Sequence, residues 1–514
     1  MQQGVRVAGR ADHGHRVDRR RAESMMIEQV DAEPAQPAFA FEGMYIDGEW
    51  RGSVSRRTEV VRSPFDGSAV VEVPRGNAED VDIAVAAALR VHRAGALPLS
   101  RRIEILDAAA VLLRERAEEF ARAIALECAK PIKTARGEVS RAVDTFTFTA
   151  AEARTQASAM VPVNAVAAGE GKTAWTVRVP VGVVAAIAPF NFPLNLVVHK
   201  IAPALAVGCA TVLKPASQTP VSSLLLAGLL RDAGLPAGWM NVVTGSGSEV
   251  GGPLSTHPDV AYVTFTGSPS VGWGISESAP RKRVRLELGS NAPLIVDERS
   301  DWAAAADAAA TGGFVQAGQS CVSTQRIFVH RSHIVEFTAR LKQRVEALVV
   351  GDPLDEDVDV SAVISLDEAA RIDDWIREAA AEGATVVTGG TREGAVVAPT
   401  ILSDVGSKMK VQCQEIFGPV VTIVAVEDID EAIERANDSD FGLNAGVFTD
   451  DIAHALRAIE RLDFGSVYIN DVPTVRVDLQ PYGGVKDSGN TREGPHYAMQ
   501  EMTELKFVTM RSAG

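Results

Sequence analysis

Aromatic residues make up only 5% of this 514-residue chain, and cysteine occurs at just four positions. Cys128, Cys209, Cys321 and Cys413 are widely separated, so neither a disulfide framework nor a zinc module is encoded, and no metal is expected. No run of 18 apolar residues free of charge occurs, which predicts no membrane span and no membrane partner. Positive charge is in deficit. The 51 Lys and Arg residues against 67 Asp and Glu give a net charge of −16, a surface that repels phosphate backbones and excludes a general nucleic-acid partner. Scattered, unpaired cysteines fit a cytoplasmic location, where a special cysteine acts as a nucleophile rather than a crosslink.

What is present is an ordinary globular composition, 46% hydrophobic and 23% charged. At about 150 residues per domain, the length corresponds to roughly three units. Residues 1–24 carry Arg6, Arg10, Arg16, Arg19, Arg20 and Arg21 but no apolar core, so they are not a secretory signal. Their Arg content is that of a transit peptide, but Asp12, Asp18 and Glu23 argue against one. The expectation is a disordered extension over 1–40, or a true start at Met25 or Met26.

Folded sequence is expected from Met44-Tyr-Ile-Asp-Gly48 onward. Apolar spacing predicts two helices between residues 77 and 127, broken at Pro98 with Ser100 as N-cap, and another over 134–158. After Gly171 the texture changes. An alternating strand over 173–179 is followed by a fully apolar run over 181–187, the signature of a buried parallel strand. Strands over 210–213, 241–243 and 261–265 then alternate with helices over 222–232, 248–255 and 268–278, which implies a doubly wound α/β unit. A second α/β stretch runs from 294 to 464, with strands near 327–329, 385–387, 420–426 and 446–448.

Several short segments carry candidate chemistry. Gly267-Ser268 ends a β-rich run and opens a helix, and Gly245-Ser-Gly247-Ser-Glu-Val-Gly251 is a second glycine-rich turn. Both place backbone N–H groups where a phosphate can sit, although the spacing is not the dinucleotide fingerprint and a purely structural turn fits as well. Cys321, in Gly318-Gln-Ser-Cys321, reads either as an exposed nucleophile or as a small core residue. Glu287, in Leu286-Glu-Leu-Gly289, sits among apolar neighbours that would raise its pKa toward that of a general base. Glu415 enters the turn Ile416-Phe417-Gly418-Pro419, and either Glu also reads as a plain ion-paired acid. Asn191, held between Pro189 and Pro193, is placed to stabilise an oxyanion, and Lys214 directly follows a strand, although each alone also reads as turn chemistry.

Taken together, Pro189-Phe-Asn-Phe-Pro193, Leu213-Lys-Pro-Ala216, Phe265-Thr-Gly-Ser268, Leu286-Glu-Leu-Gly289, Gly318-Gln-Ser-Cys321 and Glu415-Ile-Phe-Gly-Pro419 resemble the aldehyde dehydrogenase superfamily over residues 40–510. Leu286-Glu-Leu-Gly-Ser-Asn-Ala-Pro293 and Pro481-Tyr-Gly-Gly-Val-Lys-Asp-Ser-Gly489 are similar to its lactaldehyde and phosphonoacetaldehyde dehydrogenase branch. The resemblance implies an α/β fold with a Rossmann-type NAD(P)-binding domain (41–164 and 182–286), an α/β catalytic domain (287–466) and a small oligomerisation element (165–181 and 467–514). It also implies a homodimer or homotetramer.

By the same resemblance, Cys321 is the nucleophile, Glu287 the base that activates water, and Asn191 part of the oxyanion hole. The cofactor, NAD or NADP, is expected on Ile187, Ala188, Pro189, Phe190, Lys214, Ala216, Ser217, Gly247, Gly251, Phe265, Thr266, Gly267, Ser268, Val271, Leu288, Gly289, Glu415 and Phe417. Ser217 stands where NAD-preferring members carry Glu, which leaves NADP open. Glu287 favours hydrolysis to a free acid over transfer to coenzyme A, and the presence of Cys321, Glu287 and Asn191 argues against an inactive binding protein. Arg141, Phe192, Asn195 and His199 are expected at the aldehyde entrance, where a cation would select a small polar or anionic aldehyde. The competing reading pairs Arg141 with Glu138.

Overall fold

The computed structural model describes residues 37–511. Residues 1–36, with the candidate starts Met25 and Met26, lie outside the described residues. The expected boundary at residue 40 moves back: Ala38 and Phe39 donate backbone hydrogen bonds to Ala69 (3.3 Å) and Val70 (2.9 Å), so the folded chain begins ahead of Met44.

Helices open the chain after a short hairpin (Thr58–Arg62 with Ala69–Pro74). Asn77 and Asp80 form a reciprocal capping box at the start of Ala78–Ala94. The next helix, Leu99–Glu115, starts two residues earlier than expected, and its N-cap is Pro98 rather than Ser100. The Pro98 carbonyl takes the Arg102 N–H at 3.1 Å, and a proline at a helix start loses no intrahelical donor. A third helix, Ala117–Cys128, then precedes the long Ile132–Thr155.

The first sheet runs in the order 283–287, 260–266, 183–187, 211–214, 240–242, 44–46 and 49–51, with its first five strands parallel. Val183–Ile187 is buried at every residue because both faces of the sheet are covered, which is why it reads as one apolar run. The second sheet runs 385–388, 400–403, 420–426, 324–330, 292–296, 444–448 and 466–469, parallel except at its 385–388 edge.

The segment 467–514 does not act as one element. Strand Ser466–Ile469 closes the second sheet, and residues 470–502 bridge the two sheets: the Asn444 amide donates to the Pro473 carbonyl at 2.8 Å, while Asn490 donates to Leu286 and Leu288 donates to Ser488 at the first sheet. Only Thr503–Arg511 pairs with Lys172–Pro180, in an antiparallel arm that leaves Leu505, Phe507 and Met510 more than half exposed. Among the described residues no helix is long and apolar enough to cross a membrane.

Candidate active site

In the first sheet the chain leaves the central strand Val183–Ile187 toward 211–214 and 240–242, then crosses back to Val260–Thr266 on the other side. Such a reversal opens a crevice at the carboxyl ends of the strands. The second sheet presents its amino ends to the same place, because residues 287–289, 321 and 415–417 lie just ahead of strands Ala292–Val296, Thr324–His330 and Val420–Val426. The result is a cleft of about 1150 Å³ lined by all eighteen residues expected to hold the cofactor, together with Asn191 and Cys321.

Each wall of the cleft has a local cause. Ser268 caps helix Pro269–Ser278 with a hydroxyl that makes no cap hydrogen bond, so it and the helix N-terminus are free to meet an anion. Gly267 and Gly272 are glycines for packing reasons, since a Cβ there would strike Phe265 and Leu288, whereas Gly247 faces open space. Lys214 is 5% exposed, and burial lowers its pKa to about 8. Its Nζ donates to the Pro215 carbonyl at 2.8 Å, and the Ser217 hydroxyl to the Gly245 carbonyl at 2.9 Å. Across the cleft, burial lifts Glu415 to about 7 while its Oε1 accepts the Ser290 N–H at 2.8 Å. Phe417 holds a left-handed φ of 51° and meets the Phe190 ring edge-on at 5.8 Å.

Cys321 follows three consecutive residues in left-handed conformation, Gln316 (54°), Ala317 (53°) and Gly318 (68°). Strain of this kind persists only where surrounding contacts fix the loop. Gln316 donates its amide to the Asn191 carbonyl, and the Asn191 amide donates to the Gln319 carbonyl at 3.0 Å. Asn191 is therefore locked against the loop that carries Cys321. The Cys321 Sγ lies 2.8 Å from the Tyr482 hydroxyl. Burial pushes the thiol up to about 12, and Tyr482 and Arg476 partly offset that rise.

Glu287 is 3% exposed, and neither carboxyl oxygen has a hydrogen-bond partner among the described residues. Burial first, and the nearby Glu493 charge second, raise its pKa well above the usual carboxylate range. Glu493 itself stays ionised, at about 2: burial would raise it, but Lys200 and Arg476 outweigh that. Lys200 donates to Glu493 (3.1 Å), Thr266 (2.6 Å) and Thr264 (3.2 Å), and Arg476 donates to Glu493 at 2.9 Å. Sequence reasoning missed Lys200, Arg476, Asp478, Tyr482 and Glu493. Their one signal was a concentration of charge beside the Pro481-Tyr-Gly-Gly motif, since nothing in the sequence marks a loop charge as buried.

The expected entrance residues require a correction. Asn195 and His199 are 1% exposed and do not line the cleft. They turn instead to the Asp478 carboxylate, at 3.1 and 2.8 Å. Arg141 does not pair with Glu138. It makes a two-point contact with Asp478 at 2.8 and 3.1 Å, and its guanidinium lies 5.8 Å from the Phe192 ring centre. Glu138 is already committed to buried Lys130 and to the Leu194 and Asn195 N–H groups. Burial and Arg476 lower the His199 pKa, so the ring is held neutral against Asp478.

The donor set fits a nicotinamide dinucleotide. An uncommitted hydroxyl at a helix start suits a pyrophosphate, and Lys214 and Glu415 suit ribose hydroxyls. No group of three or more His, Cys, Asp or Glu residues that could hold a metal ion occurs among the described residues.

The family model "Aldehyde dehydrogenase family" matches residues 50–508. A 3-sulfolactaldehyde dehydrogenase of Priestia aryabhattai is 45% identical over 468 residues, covering 91% of this chain and 98% of its own. A lactaldehyde dehydrogenase of Methanococcus aeolicus is 36% identical over 475 residues, covering 91% of this chain and all of its own. An NADP-dependent glyceraldehyde-3-phosphate dehydrogenase from Bacillus halodurans, solved with NADP, superposes with a TM-score of 0.90 at 38% identity, covering 92% of this chain and 100% of that one. Solved relatives include both NADP- and NAD-dependent enzymes. The chain belongs to the aldehyde dehydrogenase family and is an oxidoreductase that uses NAD or NADP.

Proposed function

We propose that this protein oxidises a small polar or anionic aldehyde, 3-sulfolactaldehyde foremost, to the free carboxylic acid. The observation that carries the chemistry is a half-buried cysteine on the wall of the dinucleotide cleft, Cys321, within electrostatic reach of a buried carboxyl, Glu287, that has no hydrogen-bond partner among the described residues. The Cys321 sulfur adds to the carbonyl carbon, forming a thiohemiacetal, and the carbonyl electron pair moves to oxygen. Asn191 orients the loop and supplies an amide to that oxygen. Lys214, Ser268 and Glu415 would hold a dinucleotide in the cleft, which would supply the hydride acceptor needed for the Cys321 thiohemiacetal to become a thioester. Glu287, once deprotonated, takes a proton from water, whose oxygen attacks the thioester carbon and releases the acid and the thiolate.

The substrate class is supported by the 45% identical relative, whose name specifies a sulfonated hydroxyaldehyde, and by Arg141, a cation whose side chain stays 29% exposed while it pairs with Asp478. Ser217 presents a hydroxyl rather than a carboxylate, so no charge there opposes a 2′-phosphate, which supports NADP as a cofactor alongside NAD. The exposed apolar side chains of the 503–511 arm support a homo-oligomer joined through that arm, and the absence of paired cysteines supports a cytoplasmic location.

The test is a steady-state comparison of 3-sulfolactaldehyde, lactaldehyde and propanal with each cofactor, read by absorbance of the reduced nicotinamide. The reading expects kcat/KM for 3-sulfolactaldehyde to exceed that for propanal by at least about 100-fold, the value of one or two charge-assisted contacts. Equal values would remove the anionic-substrate reading.

A further inference from the structure

Tyr482 is buried at 2% exposure, and its hydroxyl is 2.8 Å from the Cys321 sulfur. The Arg476 guanidinium lies over the other end of the contact, 3.7 Å from the centre of the Tyr482 ring. Arg476 is itself anchored by Glu493 at 2.9 Å. The tyrosine backbone is fixed too: its N–H reaches the Glu493 carbonyl at 3.2 Å, and its carbonyl takes the Glu493 N–H at 2.6 Å. A phenol clamped in this way cannot turn its hydroxyl far from the sulfur. A tyrosine serving only to fill space would not need an oxygen at this position.

We propose that Tyr482 is a catalytic residue: its hydroxyl donates the hydrogen bond that stabilises the Cys321 thiolate, and Arg476, stacked on the ring and held by Glu493, positions it. The direction of donation follows from burial, which keeps the Tyr482 phenol protonated far above neutral pH. When the S–H bond breaks, the electron pair stays on sulfur and the proton leaves to solvent base, while Tyr482 keeps its own proton. Elsewhere in the site the Cys321 sulfur has little other help beyond the Arg476 charge, since desolvation is the largest influence on its ionisation.

This inference rests on the reading of Cys321 as the nucleophile, and the two fail separately. A Cys321→Ser variant that retains dehydrogenase turnover would remove the nucleophile reading. The Tyr482 bond is tested without turnover, by the rate of iodoacetamide alkylation of Cys321 across about pH 6 to 10, with the Cys321 peptide quantified by mass so that half-buried Cys413 is counted apart. Alkylation forms the S–C bond, and iodide departs with its electron pair. In Tyr482→Phe the profile is expected to move up by about one to two pH units, the worth of one hydrogen bond to a charged group. At a fixed pH on the rising limb the rate then falls about three- to tenfold, because the more basic thiolate is also the better nucleophile. Replacing Tyr482 with 3-fluorotyrosine keeps the packing and strengthens the donor, and it should move the profile down. An unshifted profile in both variants, with unfolding midpoints like that of the parent, would overturn the proposal.

Discussion

Glu287 and Glu493 are buried within electrostatic reach of each other, and their pKa values are driven in opposite directions. Lys200 and Arg476 hold Glu493 ionised at about 2, while burial and the Glu493 charge keep Glu287 protonated well above the ordinary carboxylate range. Two like charges brought together out of water separate their pKa values in this way. Glu287 is therefore held toward its protonated form.

The pH dependence follows with a definite sign. Glu287 accepts a proton from water only after losing its own, so thioester hydrolysis should accelerate as pH rises through the raised Glu287 pKa. It should flatten above that point. Single-turnover release of acid, measured by chemical quench, checks this. In Glu287→Gln the rising limb should vanish, with hydrolysis slowed by about 10²–10⁴-fold.

Arg141 carries the specificity prediction. Two of its nitrogens are occupied by Asp478, which also holds Asn195 and His199, so the guanidinium is fixed in place yet still 29% exposed. Arg141→Ala should raise KM for 3-sulfolactaldehyde by about 10- to 100-fold, as expected for one hydrogen-bonded charge. KM for propanal should change less than about threefold. Asp478 retains Asn195 and His199 in this variant, which limits the structural damage.

Stability concentrates beneath the helix that carries Asn195, His199 and Lys200. Lys130 and Glu138 form a salt bridge with no exposed side-chain surface, and Glu138 also accepts the N–H groups of Leu194 (2.9 Å) and Asn195 (3.1 Å) at that helix start. Lys130→Met leaves the carboxylate charged and unpaired, and should cost about 3–5 kcal/mol in urea unfolding. Adding Glu138→Gln keeps an acceptor at the helix start and should recover part of that loss.

The fold was legible wherever a pattern is local. The run 181–187 announced a parallel strand because both faces are covered, and all eighteen residues expected at the cofactor lie in the cleft because they sit at or near the strand ends and connecting turns that face it. Ser100 misled because a serine before an apolar run resembles a cap, but Pro98 already stands at the N-cap and Ser100 lies inside the first turn. The carboxyl-terminal segment was the least legible. Arg476, Asp478, Tyr482 and Glu493 reach the site through a return of the chain that no periodicity records. Asp478, at 6% exposure, is silent in the sequence yet is the group on which Arg141, Asn195 and His199 converge.

The most direct test of the account is to mix Glu287→Gln with 3-sulfolactaldehyde and NADP, quench within one turnover, and weigh the Cys321 peptide. The account predicts one equivalent of reduced cofactor and an acyl group of 3-sulfolactate on the Cys321 sulfur. Reduced cofactor formed with Cys321 unmodified, or an acyl group on any other residue, would contradict it.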